Sequence, residues 1–242
     1  MLAISGVIKR FGRLTAVDGL DLTVPAGSIH AFLGPNGAGK TTTIRMCVGL
    51  LRPDAGHISV DGHDVVTDGV AARRMLAYVP DEPYLYERLT GREFLDFTGR
   101  VYGLDRPTYE RRLGEVVERF SLHEFLDHVA EGYSHGMRQR VVLAAAILHA
   151  PRLLIVDEPL VGLDPRHIRV VLDLLKEVAR DGGAVLMSTH TMATVEGVAD
   201  HVTVMDHGRT LASGTVTEVK GDRDLESRFF ELTETPRPPP AP

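Results

Sequence analysis

The chain has 242 residues, 43% hydrophobic and 25% charged, with a net charge of −6 at pH 7. That length buries a substantial core, as one large domain or one with an inserted lobe, and the acidic balance disfavours a nucleic-acid or anionic-membrane partner held by the overall field. Apolar runs stay short of the roughly 18–20 residues that cross a bilayer as a helix, and the lone Cys47 has no internal disulfide partner, which fits a reducing cytosol.

The opening residues read as a strand rather than a secretory leader. Strand patterns cover residues 2–11, 20–24 and 28–33, with Asp18-Gly19 and Pro25-Ala26-Gly27 as turns between them. A Gly-rich loop follows, then a helix expected over 39–51, with Pro53 and Gly56 beyond its end. Strand patterns return at 57–60 and 75–79. From about residue 85 to 150 the periodicity is helical. Thr90 is placed to cap a helix over 91–102, with Glu93 as its capping-box partner, and further helices are expected over 106–120 and 136–149.

Strand and helix then alternate: strand 153–156, helix 165–180, strand 184–188, helix 192–200, strand 201–205. In the first of these helices Ile168, Val171, Leu172, Leu175, Val178 and Ala179 share one face. Strand–helix alternation on both sides of a helical insert implies a parallel-sheet core carrying a second, helical lobe. The last residues, 235–242, are rich in proline and read as a disordered or polyproline-like tail.

Gly34-Pro35-Asn36-Gly37-Ala38-Gly39-Lys40-Thr41 fits the eight-residue phosphate-loop pattern, set between a strand and a helix, with Thr42 next along that helix. Glycines let the backbone fold tightly so that several N–H groups point inward, and the helix start adds its positive dipole end. Lys40 reaches outer phosphates, and the Thr41 hydroxyl suits Mg²⁺. Only Lys9, Lys40, Lys176 and Lys220 are lysines among 27 basic residues. A flexible point charge thus stands at Lys40 where this chain ordinarily uses arginine, as a phosphate site explains.

Residues 153–158 form an apolar strand that delivers Asp157 and Glu158 at its C-terminal end, where open parallel sheets bind ligands. Asp157 suits Mg²⁺, directly or through a water, and Glu158 suits polarising an attacking water. Read alone, the pair is equally an acidic turn after a strand; the phosphate loop upstream favours the catalytic reading.

Between these motifs lies Tyr133-Ser134-His135-Gly136-Met137-Arg138-Gln139-Arg140, which resembles the signature segment of ABC ATPases. Gly162-Leu163-Asp164-Pro165 resembles that family's D-loop, Ser188-Thr189-His190 its switch histidine, and Phe11-Gly12 its aromatic A-loop. The matches follow family order from about residue 2 to 215. The resemblance implies an α/β fold: a P-loop NTPase core with a mostly parallel sheet, an N-terminal antiparallel β subdomain and an inserted α-helical lobe. Its expected extent is an ABC ATPase domain over 1–220 (core 1–84 and 151–220, lobe about 85–150), then a C-terminal extension over 221–242.

The resemblance also implies roles. Phe11 stacks on the adenine, or is simply a core aromatic. His190 contacts the γ-phosphate and holds the attacking water. Ser134 and Gly136 touch the γ-phosphate of ATP held by a second ATPase subunit, so that two chains, most simply a homodimer, sandwich two nucleotides with Mg²⁺. A groove receives a coupling helix from a separate integral-membrane permease; Tyr84, Leu85, Tyr86 and Leu89 are candidate contacts there, or belong to the lobe core. The chain is then expected in the cytoplasm, peripheral on the inner face of the membrane through that permease, with no direct nucleic-acid partner.

Two departures stand out. The family's glutamine after the strand at 76–79 is replaced by Asp81, since Gln139 is the sole glutamine. A carboxylate still binds Mg²⁺ through hard oxygen but repels unshielded phosphate, so a stronger dependence on Mg²⁺ is expected; otherwise Asp81 caps a turn. His135 and Met137 replace the usual glycine and glutamine of the signature. This combination resembles ATPases serving ABC-2-type and multidrug exporters. The alternatives are a non-transport ABC ATPase, whose relatives usually carry two cassettes or a long coiled-coil insertion, and an importer subunit.

Overall fold

The computed structural model describes residues 1–234, so the proline-rich stretch at 235–242 lies outside the described residues. Strand β1 (Leu2–Phe11) reverses at Gly12, φ 58°, into β2 (Leu14–Val24), which begins six residues earlier than its pattern suggests. Asp18-Gly19 is a bulge rather than a turn. Val7 faces Leu20 and Ile8 faces Asp18, leaving Gly19, φ 73°, as the extra residue between two paired stretches. Strand β3 (Ser28–Leu33) then enters the core, and helix α1 (Lys40–Cys47) leaves the Gly-rich loop. That helix stops four residues short of the expected end, because Gly49, φ 75°, takes the left-handed conformation that terminates helices.

Strands β4 (Ala55–Val60) and β5 (His63–Asp64) complete a four-stranded antiparallel sheet ordered β2-β1-β4-β5. Helix α2 (Gly69–Met75) leads into β6 (Leu76–Val79). The helical lobe follows: α3 (Gly91–Val101), α4 (Arg106–Arg119) and α5 (His135–Ile147). Each start carries its own cap. Thr90 and Glu93 form the expected capping box, Asp105 accepts from the Thr108 N–H, and the Ser134 hydroxyl accepts from the Met137 N–H at 3.3 Å.

The chain returns to the core through β7 (Leu153–Asp157), α6 (Pro165–Arg180), β8 (Ala184–Ser188), α7 (Met192–Val198) and β9 (His201–Asp206). It then adds β10 (Arg209–Thr215), α8 (Val216–Lys220) and α9 (Leu225–Glu234). The main sheet runs β10-β9-β3-β8-β7-β6, parallel throughout except for the antiparallel β10 edge. Alternation along β7 shows why its sequence is continuously apolar. Leu154 and Val156 join the core shared with the helical lobe, while Leu153 and Ile155 join the core under α1 and the antiparallel sheet. On α6 the buried face is Val171, Leu174, Leu175 and Ala179, so Leu174 is added to the expected set.

Candidate functional site

The Gly-rich loop is forced into shape by its surroundings. A Cβ on Gly34 would overlap the Met205 carbonyl oxygen of β9, and one on Gly39, φ 108°, would overlap the Ala16 carbonyl oxygen of β2. The Ala38 N–H closes back on the Pro35 carbonyl at 3.1 Å, and the Gly208 N–H donates to the Ala38 carbonyl at 2.9 Å. Both flanking sheets thus fix the loop. Because α1 starts at Lys40, the N–H groups of its first turn lack intrahelical acceptors and face the loop. The Lys40 ammonium folds over the loop, donating to the Gly34 carbonyl at 2.6 Å and the Pro35 carbonyl at 3.2 Å. Burial pulls its pKa below the usual lysine range, while Glu158 and Asp157 oppose that shift.

Strand β7 lies beside β8 with Asp157 opposite Ser188. This register hands the Ser188 hydroxyl to Asp157 Oδ1. Asp157 is buried, and its Oδ2 has no hydrogen-bond partner among the described residues. Burial raises its pKa, as do the charges of Asp81 and Glu158; the hydroxyls of Ser188 and Thr41 pull it back. A buried carboxylate oxygen left without a donor, beside a threonine hydroxyl and near a second carboxylate, is an arrangement of hard oxygens that a divalent cation fits.

One residue on, Glu158 has φ 48°, a left-handed conformation that costs a β-carbon residue about 1–3 kcal/mol. Its N–H is held by both the carbonyl, at 3.1 Å, and the hydroxyl, at 3.2 Å, of Ser188. The strained turn aims the carboxylate at His190, whose Nδ1 lies 2.9 Å from Glu158 Oε2. Glu158 and His190 line one cleft of about 540 Å³ with Gly34, Pro35 and Asn36. The structure therefore brings together the phosphate loop, Lys40, both carboxylates and the histidine.

Residues 17–161 match the family model described as ABC transporter. The chain belongs to the ABC transporter family. Among its relatives, the daunorubicin/doxorubicin resistance ATP-binding protein of Streptomyces peucetius is 43% identical over 216 residues, covering 89% of this chain; the chain spans 66% of that protein's length. The solved structure of the ATP-binding subunit of an ABC transporter is 34% identical, superposes with a TM-score of 0.92, and covers 96% of this chain and 99% of that one. A dimeric post-hydrolysis ATP-binding cassette holding ADP and phosphate shares the fold at a TM-score of 0.81 and 22% identity, covering 89% of this chain and 99% of that one.

The segment at 134–140, which resembles the family's signature, is not among the residues lining the cleft with Gly34, Pro35 and Asn36. Ser134 caps α5, and Gly136 faces the Gly162 carbonyl oxygen, 3.5 Å from where its Cβ would stand. His135 packs over Gly162, and Gln139 Nε2 donates to the Pro159 carbonyl at 3.3 Å. Residues 134–140 therefore pack on 159–162 of their own chain, and they are not among the residues that line the cleft of Asn36 and Glu158. Phe11 stays half exposed at the end of β1, its ring 5.6 Å from the Lys9 ammonium. Asp81 is exposed, accepts from the Glu82 N–H at 2.9 Å, and reaches Asp157 through its charge. Thr42 lies partly buried in the first turn of α1.

Of the four residues read as coupling contacts or lobe core, Leu85 is buried in the lobe core and Leu89 is partly buried, whereas Tyr84 and Tyr86 are exposed and lie edge-to-face at 5.7 Å. Sequence reasoning gives Ser188 no role of its own; only the register of β7 against β8 shows that it positions both acidic residues. It also misses α9, whose Glu226, Phe229 and Phe230 line the rim of the same cleft.

Proposed function

We propose that this chain is the ATP-hydrolysing subunit of an exporter, closing on a second copy when ATP is bound and driving a separate membrane permease. Within the cleft, the loop N–H groups and Lys40 bind and neutralise the β- and γ-phosphates. Glu158 accepts a proton from the attacking water, His190 holds that water against the γ-phosphate, and ADP leaves as the terminal phosphoryl passes to the water oxygen. Mg²⁺, when bound, would neutralise phosphate charge; Thr41, Asp157 and Asp81 are the residues that would hold it. Ser134 and Gly136 of one copy complete the γ-phosphate site of the other, and Phe11 supports the base.

The observation carrying this reading is the Glu158–His190 pair at 2.9 Å, standing in one cleft with Gly34, Pro35 and Asn36. The drug resistance in the name of the Streptomyces relative favours export. Among the described residues no helix is long and apolar enough to cross a membrane. Tyr84 and Tyr86, flanked by Phe97, offer an exposed aromatic surface for that permease.

Binding and turnover of ATP by the purified chain test the site. Lys40→Ala lowers both; removing one such contact costs about 2.7–4 kcal/mol of barrier, a hundredfold or more in rate. Parental turnover in that variant contradicts the assignment. Export is tested separately: a multi-span membrane protein co-purifies from detergent extracts and stimulates the ATPase, or the permease reading fails.

A further inference from the structure

We infer that the C-terminal helix α9 is part of the surface on which a second copy of this chain closes, with Phe230 and Glu226 as its contact residues. The inference rests on the ATP-driven dimer proposed above and extends it to an element outside the recognised motifs.

Helix α9 is anchored from behind. Leu225 is fully buried, and its N–H donates to Glu196 Oε1 at 3.2 Å. The same oxygen accepts from the Lys220 ammonium at 3.2 Å, which ties α9 to α7 and α8. Phe229 and Leu232 pack on a core shared with Val195 of α7 and Val216 and Val219 of α8. Since α7 begins two residues after His190, the helix is strapped to the element that carries the switch histidine.

From that anchorage α9 presents a second face. Glu226 and Phe230 are four residues apart, so they stand one above the other, and both line the rim of the cleft that holds Asn36, Glu158 and His190. Phe230 is 48% exposed, its ring edge-to-face with Phe229 at 5.9 Å. An aromatic left half in water beside the opening is a contact surface in want of a cover.

Position selects the cover. Glu226 and Phe230 line the same cleft as Glu158, His190 and the phosphate loop, the side that the second copy closes in the dimer proposed above. The segment expected to enter from the second copy, residues 134–140, opens α5 with the positive end of a helix dipole, while its basic side chains are held within their own chain: His135 packs over Gly162, Arg138 pairs with Glu87, and Arg140 donates to the Phe120 and Ser121 carbonyls.

The experiment uses the full chain carrying Glu158→Gln, with MgATP. Dimerisation is followed by light scattering across chain concentration, and ATP binding is measured with a fluorescent ATP analogue at concentrations where the chain is monomeric. Phe230→Asp and Glu226→Arg are each expected to raise the half-dimerising concentration at least tenfold while monomer affinity for the analogue moves less than twofold. Phe230→Leu keeps the dimer and controls for folding, together with unchanged thermal melting of all variants. Dimerisation of Phe230→Asp and Glu226→Arg at the parental concentration overturns the inference. So does an equal loss of analogue affinity, which would make α9 a wall of the nucleotide pocket within one chain. A Glu158→Gln parent that stays monomeric is a different failure: it removes the proposed ATP-driven dimer itself, and this inference with it.

Discussion

At the residue scale, Asp157 and Asp81 decide how the site treats charge. Asp157 keeps one oxygen on Ser188 and one without a donor, and the charge of Asp81 already raises its pKa. A carboxylate at position 81 therefore attracts a cation but repels a bare triphosphate. Asp81→Gln is expected to tighten ATP binding without Mg²⁺ about fivefold, near 1 kcal/mol of repulsion removed, so that the gain conferred by Mg²⁺ shrinks. Titrations with and without EDTA decide it; an unchanged ratio makes Asp81 a turn residue only. The phosphate loop, Asp157 and Glu158 were singled out from local spacing and His190 from the family resemblance, and the structure brings them together. Ser188 was not legible in the sequence: its function comes from sitting opposite Asp157, and cross-strand register is invisible to spacing.

A second residue-scale prediction concerns pH. His30 is buried, its Nε2 paired with the Thr203 hydroxyl at 2.8 Å and its Nδ1 without a partner among the described residues. Burial, then the nearby His201, lowers its pKa to about 4. The unfolded chain takes up this proton near pH 6.5, and the folded chain only near 4. Stability is thus full above pH 6.5 and falls as pH drops towards 4, by about 3 kcal/mol for this residue. His149, stacked on Tyr102 at 3.5 Å and likewise lowered to about 4, adds to the same window. Melting temperatures between pH 7 and 4.5 should fall steeply, and less so in His30→Gln. Equal slopes in the two proteins would remove His30 from the account.

At the element scale, the capped helices explain why the lobe was readable. Thr90 and Glu93 satisfy each other's backbone donors at the start of α3, with the Thr90 N–H donating to Glu93 Oε2 at 2.8 Å. Thr90→Ala is expected to destabilise the chain by about 1 kcal/mol with unchanged ATP affinity, as read by denaturant unfolding; a change below a few tenths would contradict the cap's role. Elements without such signals escaped. Helix α2 has seven residues and two adjacent arginines, and β5 has two residues, so neither offers a period to detect. Strand β2 was cut short because Asp18-Gly19 carries turn chemistry, yet the sheet uses it as a bulge. The helix α9 was hidden by its neighbourhood: ten residues next to a proline-rich stretch read as an extension, while its burial depends on α7 and α8.

At the scale of the whole molecule, the proposed chemistry is divided between two parts of the chain. The core holds the loop, both carboxylates and the histidine; Ser134 and Gly136 start α5 against Gly162 and are not among the residues lining the cleft. Under the proposed roles their contribution to a γ-phosphate comes from a second copy. The alternation of strands and helices made the core and lobe legible, because each period needs only its own segment. What a second copy supplies has no period at all. The most direct measurement is the mass of the Glu158→Gln chain by light scattering, with MgATP and without nucleotide. The account predicts the 26.5 kDa monomer without nucleotide and twice that mass with MgATP. A monomer in both conditions, with ATP demonstrably bound, would contradict it.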